Sequence, residues 1–119
     1  MAKYEHLPIY KQSYSLLVEF HKIVPKFPKK YKFSIGSEII SDLTNNIIKI
    51  IEINSASDKK PLFDELIRKS EKIKIQIRIL KSLEVISKKQ YFDLSGRILQ
   101  IIKQSEGWKS KFISWVYMR

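Results

Sequence analysis

The chain has 119 residues, a length for one domain, and its 44% apolar and 29% charged residues describe a folded rather than a disordered chain. Lys and Arg number 23 against 12 acids, a net charge of +11 that points to polyanionic partners, nucleic acid first and an acidic membrane second. The absence of cysteine excludes disulfide scaffolds, thiolate metal sites, iron–sulfur clusters and Cys nucleophiles.

The richest apolar run, Ile47 to Ile53, is interrupted by Lys49 and Glu52, so it does not read as a membrane span. The opening residues from Met1 to Pro8 lack the apolar stretch of a signal peptide. A cytoplasmic protein with no membrane partner is the expectation. Three glycines and four prolines are too little punctuation for a turn-rich β fold.

The first predicted helix covers about 8–24. Pro8 suits its first position, and Tyr10, Tyr14, Leu17, Phe20 (or His21) and Val24 recur at helical spacing. Pro25 and Pro28 end it. A second helix, about 35–54, opens with Ser34 as N-cap and carries Ile39, Ile40, Leu43, Ile47, Ile50 and Ile51 as its apolar stripe. Asn54-Ser55-Ala56-Ser57 forms a linker, after which Asp58 caps a third helix over about 60–85, with Asp64 and Glu65 in its early turns.

Within that third segment, Lys72 to Ile79 alternates polar and apolar residues as a strand would. Leu62, Leu66, Ile73, Ile77 and Leu80 nevertheless share one helical face that runs through the alternation, and a lone strand would lack a ladder partner. The segment is therefore read as helix, which puts Ile75, Ile79 and Ile86 on the side opposite Ile73, Ile77 and Leu80. Two apolar faces on one helix point to a subunit interface; the alternative is a wide, centrally buried helix.

Ser87 followed by Gln90 gives the capping-box spacing for a fourth helix, about 88–106. Tyr91, Leu94, Ile98 and Ile101 (or Ile102) lie on one face, and Gly107 reads as the stop. Short connections make an all-α, antiparallel up-down four-helix bundle over 1–107, followed by a basic, aromatic tail over 108–119.

Chemistry by side chain is sparse. His6 and His21, the two imidazoles, sit in different segments, no Glu-x-x-His pair occurs, and no phosphate loop, nucleophile elbow or dinucleotide fingerprint is present. No catalytic residue, metal site or cofactor is expected. The informative feature is charge. Between Glu19 and Glu38 there is no acid, while Lys22, Lys26, Lys29, Lys30 and Lys32 interleave with Phe27, Tyr31 and Phe33. The third helix adds Arg68, Lys69, Lys72, Lys74, Arg78 and Lys81 against Glu71, and the tail is basic without acids. Each patch alone also fits a solvated surface; together they favour phosphate contacts that are salt-sensitive and blind to sequence.

Leu7-Pro8-Ile9-Tyr10-Lys11 with Tyr14 and Leu17, then Phe27-Pro28-Lys29-Lys30-Tyr31-Lys32-Phe33 with Gly36, form an ordered series. Asn54-Ser55, Asp58-Lys59, Arg78-Ile79-Leu80-Lys81, Leu83, Ser87, Tyr91 (or Phe92) and Gly107-Trp108 continue it. In order and spacing this series resembles the four-helix-bundle proteins of 23S rRNA intervening sequences, and more closely the accessory variability determinants (Avd) of diversity-generating retroelements. The resemblance covers His6 to about Lys111. It implies a non-enzymatic, homopentameric barrel with a basic surface. Such a barrel would bind the element's reverse transcriptase, its template-repeat RNA and possibly cDNA, to support mutagenic cDNA synthesis. The alternative it leaves is an RNA- or protein-interaction role of the intervening-sequence type, without a polymerase.

The expected nucleic-acid-binding residues are Lys26, Lys29, Lys30, Lys32, Arg68, Lys72, Lys74, Arg78 and Lys81. Ile75, Ile79 and Ile86 are the expected interface between copies. Lys74 stands where relatives commonly carry Arg, which replaces a planar fork with a point charge.

Overall fold

The structure, a computed structural model, describes residues 3–118. Met1 and Ala2, which open the segment read as lacking a signal peptide, and Arg119, the end of the expected tail, lie outside the described residues. Four long helices account for most of the chain: α1 (Pro8–Ile23), α2 (Ser37–Ser55), α3 (Lys60–Ser82) and α4 (Lys88–Met118). A 3-10 turn over Lys3–His6 precedes α1. Between α1 and α2 the chain makes a 3-10 turn at Val24–Lys26, one α-helical turn at Lys29–Tyr31 and a π turn at Lys32–Gly36.

Each helix packs on its sequence neighbours, and α1 closes the ring against α4. Side-chain pairs give the direction. Glu38 meets Gln76 while Lys49 meets Glu65, Asp64 meets Lys109 while Lys81 meets Tyr91, and Gln12 meets Gln104 while Ser15 meets Arg97. Partner numbers fall as the first number rises in each of these three pairs of helices, so the bundle is antiparallel and up-down. It measures 52 × 27 × 20 Å.

The core is aliphatic with two phenylalanines, Phe20 and Phe63, fully buried. Leu16, Ile39, Leu43, Ile50, Leu66, Ile73, Ile77, Leu80, Leu94 and Ile98 complete its centre. Each such side chain stabilises by about 1.5–3 kcal/mol relative to exposure. Small polar residues let the helices approach. Ser70 donates to the Leu66 carbonyl at 2.8 Å while accepting from Asn46, and Ser105 donates to the Ile101 carbonyl at 2.8 Å.

Several local expectations change. The buried stripe of α1 is Ile9, Ser13, Leu16, Phe20 and Ile23; Tyr14 is exposed and stacks on the half-buried Tyr10, whose ring meets Tyr4 edge-on. His21 is exposed. Ser34 does not cap a helix but donates to the Lys30 carbonyl inside the π turn, and Lys59, not Asp58, occupies the N-cap of α3. The capping box at α4 is present: the Ser87 N–H donates to Gln90 Oε1 at 2.8 Å, and the Gln90 N–H donates to Ser87 Oγ at 3.1 Å.

Gly107 does not stop α4. A helical glycine costs about 1 kcal/mol, and the turns beyond it recover more through packing. Trp108 sits edge-on to Phe63 with centroids 5.1 Å apart, Phe112 follows at 5.9 Å, and Lys109 pairs with Asp64 at 2.6 Å. Residues 108–118 are thus the last turns of α4 rather than a separate tail. Conversely, α3 ends at Ser82, earlier than 85, because Glu84 adopts a left-handed conformation (φ 59°). Beyond that break the helical phase is lost, and Ile86 turns into the core at 5% exposure.

Candidate nucleic-acid interface

Up-down topology brings four helix ends to each pole of the bundle. One pole collects the end of α1, the entry to α2, the end of α3 and the start of α4. It therefore gathers Lys22, Lys26, Lys29, Lys30 and Lys32 with Arg78 and Lys81, and adds Lys88 and Lys89. Contact across this pole is direct, since Tyr31, Phe33 and Ile35 of the entry share one groove with Ile79 and Leu83 of α3. The opposite pole mixes the acids Glu52, Asp58, Asp64 and Glu65 with Lys49, Lys59, Lys60 and Lys109, and Lys49, Lys60 and Lys109 pair with those acids.

At the basic pole the cations lack carboxylate partners. Among the described residues, none of Lys22, Lys26, Lys29, Lys30, Lys32, Arg78, Lys81, Lys88 and Lys89 forms an ion pair. Aromatic rings neighbour three of them: Lys30 Nζ lies 5.0 Å from the Tyr31 centroid, Lys32 5.6 Å from Phe33 and Lys81 4.9 Å from Tyr91. Such contacts are worth about 0.5–1 kcal/mol at exposed sites and leave the positive charge in place. Lys29, Lys30, Lys88 and Lys89 also stand in the first turns of helical segments, where the backbone dipole is already positive. This arrangement costs about 0.3–1 kcal/mol per charge in the free protein and would be relieved by a bound polyanion.

The rest of α3 is different. Lys72 pairs with Asp42 at 3.1 Å and with Glu38 at 3.7 Å, Lys69 pairs with Asp42 at 3.5 Å, and Lys74 pairs with Glu71 at 3.0 Å. Asp42 is the buried anion of this network, its side chain 6% exposed, and Gln76 Nε2 donates to it at 3.3 Å. The carboxylates hold the Lys72 ammonium above its ordinary pKa, the hydrogen bond to Asp42 contributing most. Lys49 is raised in the same sense, chiefly by Glu65, whose own pKa the pair lowers. Arg68 is exposed on this face and lines the open cavity between α2 and α3 with Lys49, Lys69 and Lys72.

The nine cations singled out from the sequence therefore separate. Lys26, Lys29, Lys30, Lys32, Arg78 and Lys81 come together at one pole, whereas Lys72 and Lys74 are matched by acids and Arg68 lies away from that pole. Sequence reasoning left out Lys88 and Lys89. The signal was available, because an up-down bundle puts the start of the fourth helix at the same pole as the entry to the second. Of the expected interface isoleucines, Ile75 and Ile79 are 58% and 41% exposed, Ile79 sharing a groove with the exposed Leu83 and Phe33, while Ile86 belongs to the core.

Among the described residues, no group of three or more His, Cys, Asp or Glu could hold a metal ion, and no helix is long and apolar enough to cross a membrane. Fold and charge together define a small antiparallel helical bundle with one strongly basic pole. The bAvd-like family model matches residues 7–112, nearly the whole bundle, and the chain belongs to this family of Avd-type accessory proteins. Searches of curated proteins and of solved structures find no match.

Proposed function

We propose that this protein is a non-enzymatic accessory factor of a diversity-generating retroelement. In this reading it holds the template-repeat RNA, and the cDNA made from it, close to the element's reverse transcriptase in the cytoplasm of a bacterial or phage-infected cell. The observation that carries the reading is the basic pole, whose lysines and arginine have no carboxylate to neutralise them, in a chain of the bAvd-like family. Lys26, Lys29, Lys30, Lys32, Arg78 and Lys81 contact phosphates, and Lys88 and Lys89 extend the surface. Affinity of this kind follows from counterion release and is largely independent of base sequence.

The exposed face of Ile75 and Ile79 joins copies of the chain into a ring-shaped homo-oligomer, a pentamer by family resemblance. Exposed aliphatic side chains at adjacent turns gain burial in such a contact. Replacing both by aspartate is expected to lower the native mass to that of one protomer; an unchanged mass would assign the interface elsewhere.

Affinity purification from the native cell, with and without nuclease, tests the functional reading. Recovery of a reverse transcriptase together with one discrete RNA is the expected result. Bulk RNA that washes off at moderate salt, with no polymerase, would contradict it.

A further inference from the structure

On the α1–α4 side of the bundle lies an open groove of about 530 Å³, lined among others by Lys11, Gln12, Phe92, Gly96, Arg97 and Gln100. Phe92 stands at its edge 80% exposed, so its ring contributes almost nothing to the core. An aromatic left in water forgoes about 1.5–3 kcal/mol of burial. Gly96 forms an open floor, since a Cβ there would have no neighbour within 4 Å. Nothing in the packing of the protomer requires a glycine at this point of a helix, where it costs about 1 kcal/mol relative to alanine.

The charges of the groove are sorted. Arg97 is occupied, donating to Ser15 Oγ at 2.6 Å and pairing with Asp93 at 3.5 Å. Lys11 on the rim has no ion-pair partner among the described residues, nor do Lys88 and Lys89, one turn before Phe92, or Lys103, two turns beyond Gly96. Lys89 and Lys103 are roughly 21 Å apart along α4, at 1.5 Å per residue. That run suits about four nucleotides, the lower end of single-strand site sizes. The lining mixes one bare ring with amide side chains, a hydroxyl and cations, and its carboxylate, Asp93, is paired with Arg97, which fits a base and its phosphates better than the apolar face of a partner helix. A duplex keeps the faces of its bases stacked inside and has no use for an exposed ring.

We propose that this groove binds unpaired nucleotides of a single-stranded nucleic acid, with a base stacked on Phe92 over Gly96 and phosphates held by Lys88 and Lys89 on one side and Lys11 and Lys103 on the other. The inference rests on the nucleic-acid reading above and adds strand form and place to it. The lysine pole supplies contacts any polyanion can use; the groove supplies preference for unpaired bases.

The test measures binding of a labelled oligouridine and of an RNA duplex of equal length to the full chain, by fluorescence anisotropy. Phe92→Ala is expected to weaken oligouridine binding about tenfold, the size of one lost base–aromatic stack, and to leave duplex binding unchanged. Phe92→Tyr retains the ring and restores oligouridine binding, and the indole of Phe92→Trp is quenched when oligouridine is added. Because Phe92 is exposed, matching circular dichroism spectra are expected for all variants. Equal loss on both probes, or no loss, overturns the groove proposal while leaving the basic-pole reading intact. Loss of the reverse transcriptase on Phe92→Ala with unchanged oligouridine affinity assigns the groove to a protein and also overturns it. A wild-type chain that binds neither probe overturns the nucleic-acid reading itself.

Discussion

The α2–α3 face and the entry to α2 are both rich in lysine, yet they are built to opposite ends. On the face, Lys49, Lys69 and Lys72 each lie within 4 Å of a carboxylate on the facing helix, and Asp42 is buried between two of them. At the entry, Lys26, Lys29, Lys30 and Lys32 form no ion pair among the described residues, and Lys30 and Lys32 neighbour the Tyr31 and Phe33 rings instead. Lysine with a carboxylate closes two helices together. Lysine with an aromatic ring keeps its charge for something outside the molecule. Counting lysines along the sequence does not separate these two uses; the position of the acids does.

The comparison can be broken first at Asp42. Asp42→Ala leaves Lys69, Lys72 and the Gln76 amide without their shared acceptor and is expected to destabilise the fold by about 2–3 kcal/mol. Chemical denaturation would read this, and a loss near zero would mean that the network is ornamental.

The entry depends on shape rather than charge. Gly36 has ordinary helical torsions, but a Cβ there would lie 2.8 Å from Val24 Cγ1, 3.1 Å from the Tyr31 carbonyl oxygen and 3.3 Å from the Phe27 ring. Gly36→Ala is expected to cost about 1–2 kcal/mol, overpacking outweighing the better helix propensity. Gly107→Ala is the control. Its Cβ meets nothing within 4 Å, so the substitution should stabilise α4 by about 0.5–1 kcal/mol. Denaturation midpoints moving in the same direction for both glycines would contradict this distinction.

The smallest effect concerns the pole opposite the entry. Asp64 and Glu65 have pKa values below the ordinary carboxylate range, held there first by Lys109 and Lys49 respectively. Carboxylates of lowered pKa stabilise the fold fully above their unfolded pKa and lose that contribution as pH falls through the folded one. Thermal melts below about pH 4 should therefore decline less steeply for Asp64→Asn and Glu65→Gln than for the parent. Parallel declines would remove these pairs from the account of acid stability.

Much of the fold was legible because helical periodicity is a local signal. The third helix is the clearest case: Leu66, Ile73, Ile77 and Leu80 kept one face through an alternation that mimics a strand, and all four are fully buried. The capping box at Ser87 and Gln90 was legible for the same reason. In α1 two stripes competed, and the aromatic one, Tyr10 and Tyr14, hid the register that buries Ile9, Ser13 and Leu16. Helix ends were harder. Gly107 and Ser34 carry stop and start chemistry, but Phe63 packing on Trp108 and the π turn at Lys32–Gly36 decide there. Ile86 followed the helical phase on paper until Glu84 broke it. The site was half legible: the acid-free stretch from Lys22 to Lys32 could be seen directly. The neutralisation of Lys72 by Asp42 could not, since a partner on another helix appears only once α2 lies against α3.

The most direct measurement compares two triple variants, Lys29→Gln/Lys30→Gln/Lys32→Gln at the entry and Lys49→Gln/Lys69→Gln/Lys72→Gln on the face, for RNA affinity across a salt series. The account predicts that the entry variant lowers the slope of log affinity against log salt by about 2 to 3, as expected for three lost phosphate contacts. The face variant should keep nearly the parental slope. Equal losses in the two variants, or the larger loss on the α2–α3 face, would contradict the claim that the unpaired lysines of the basic pole hold the polyanion.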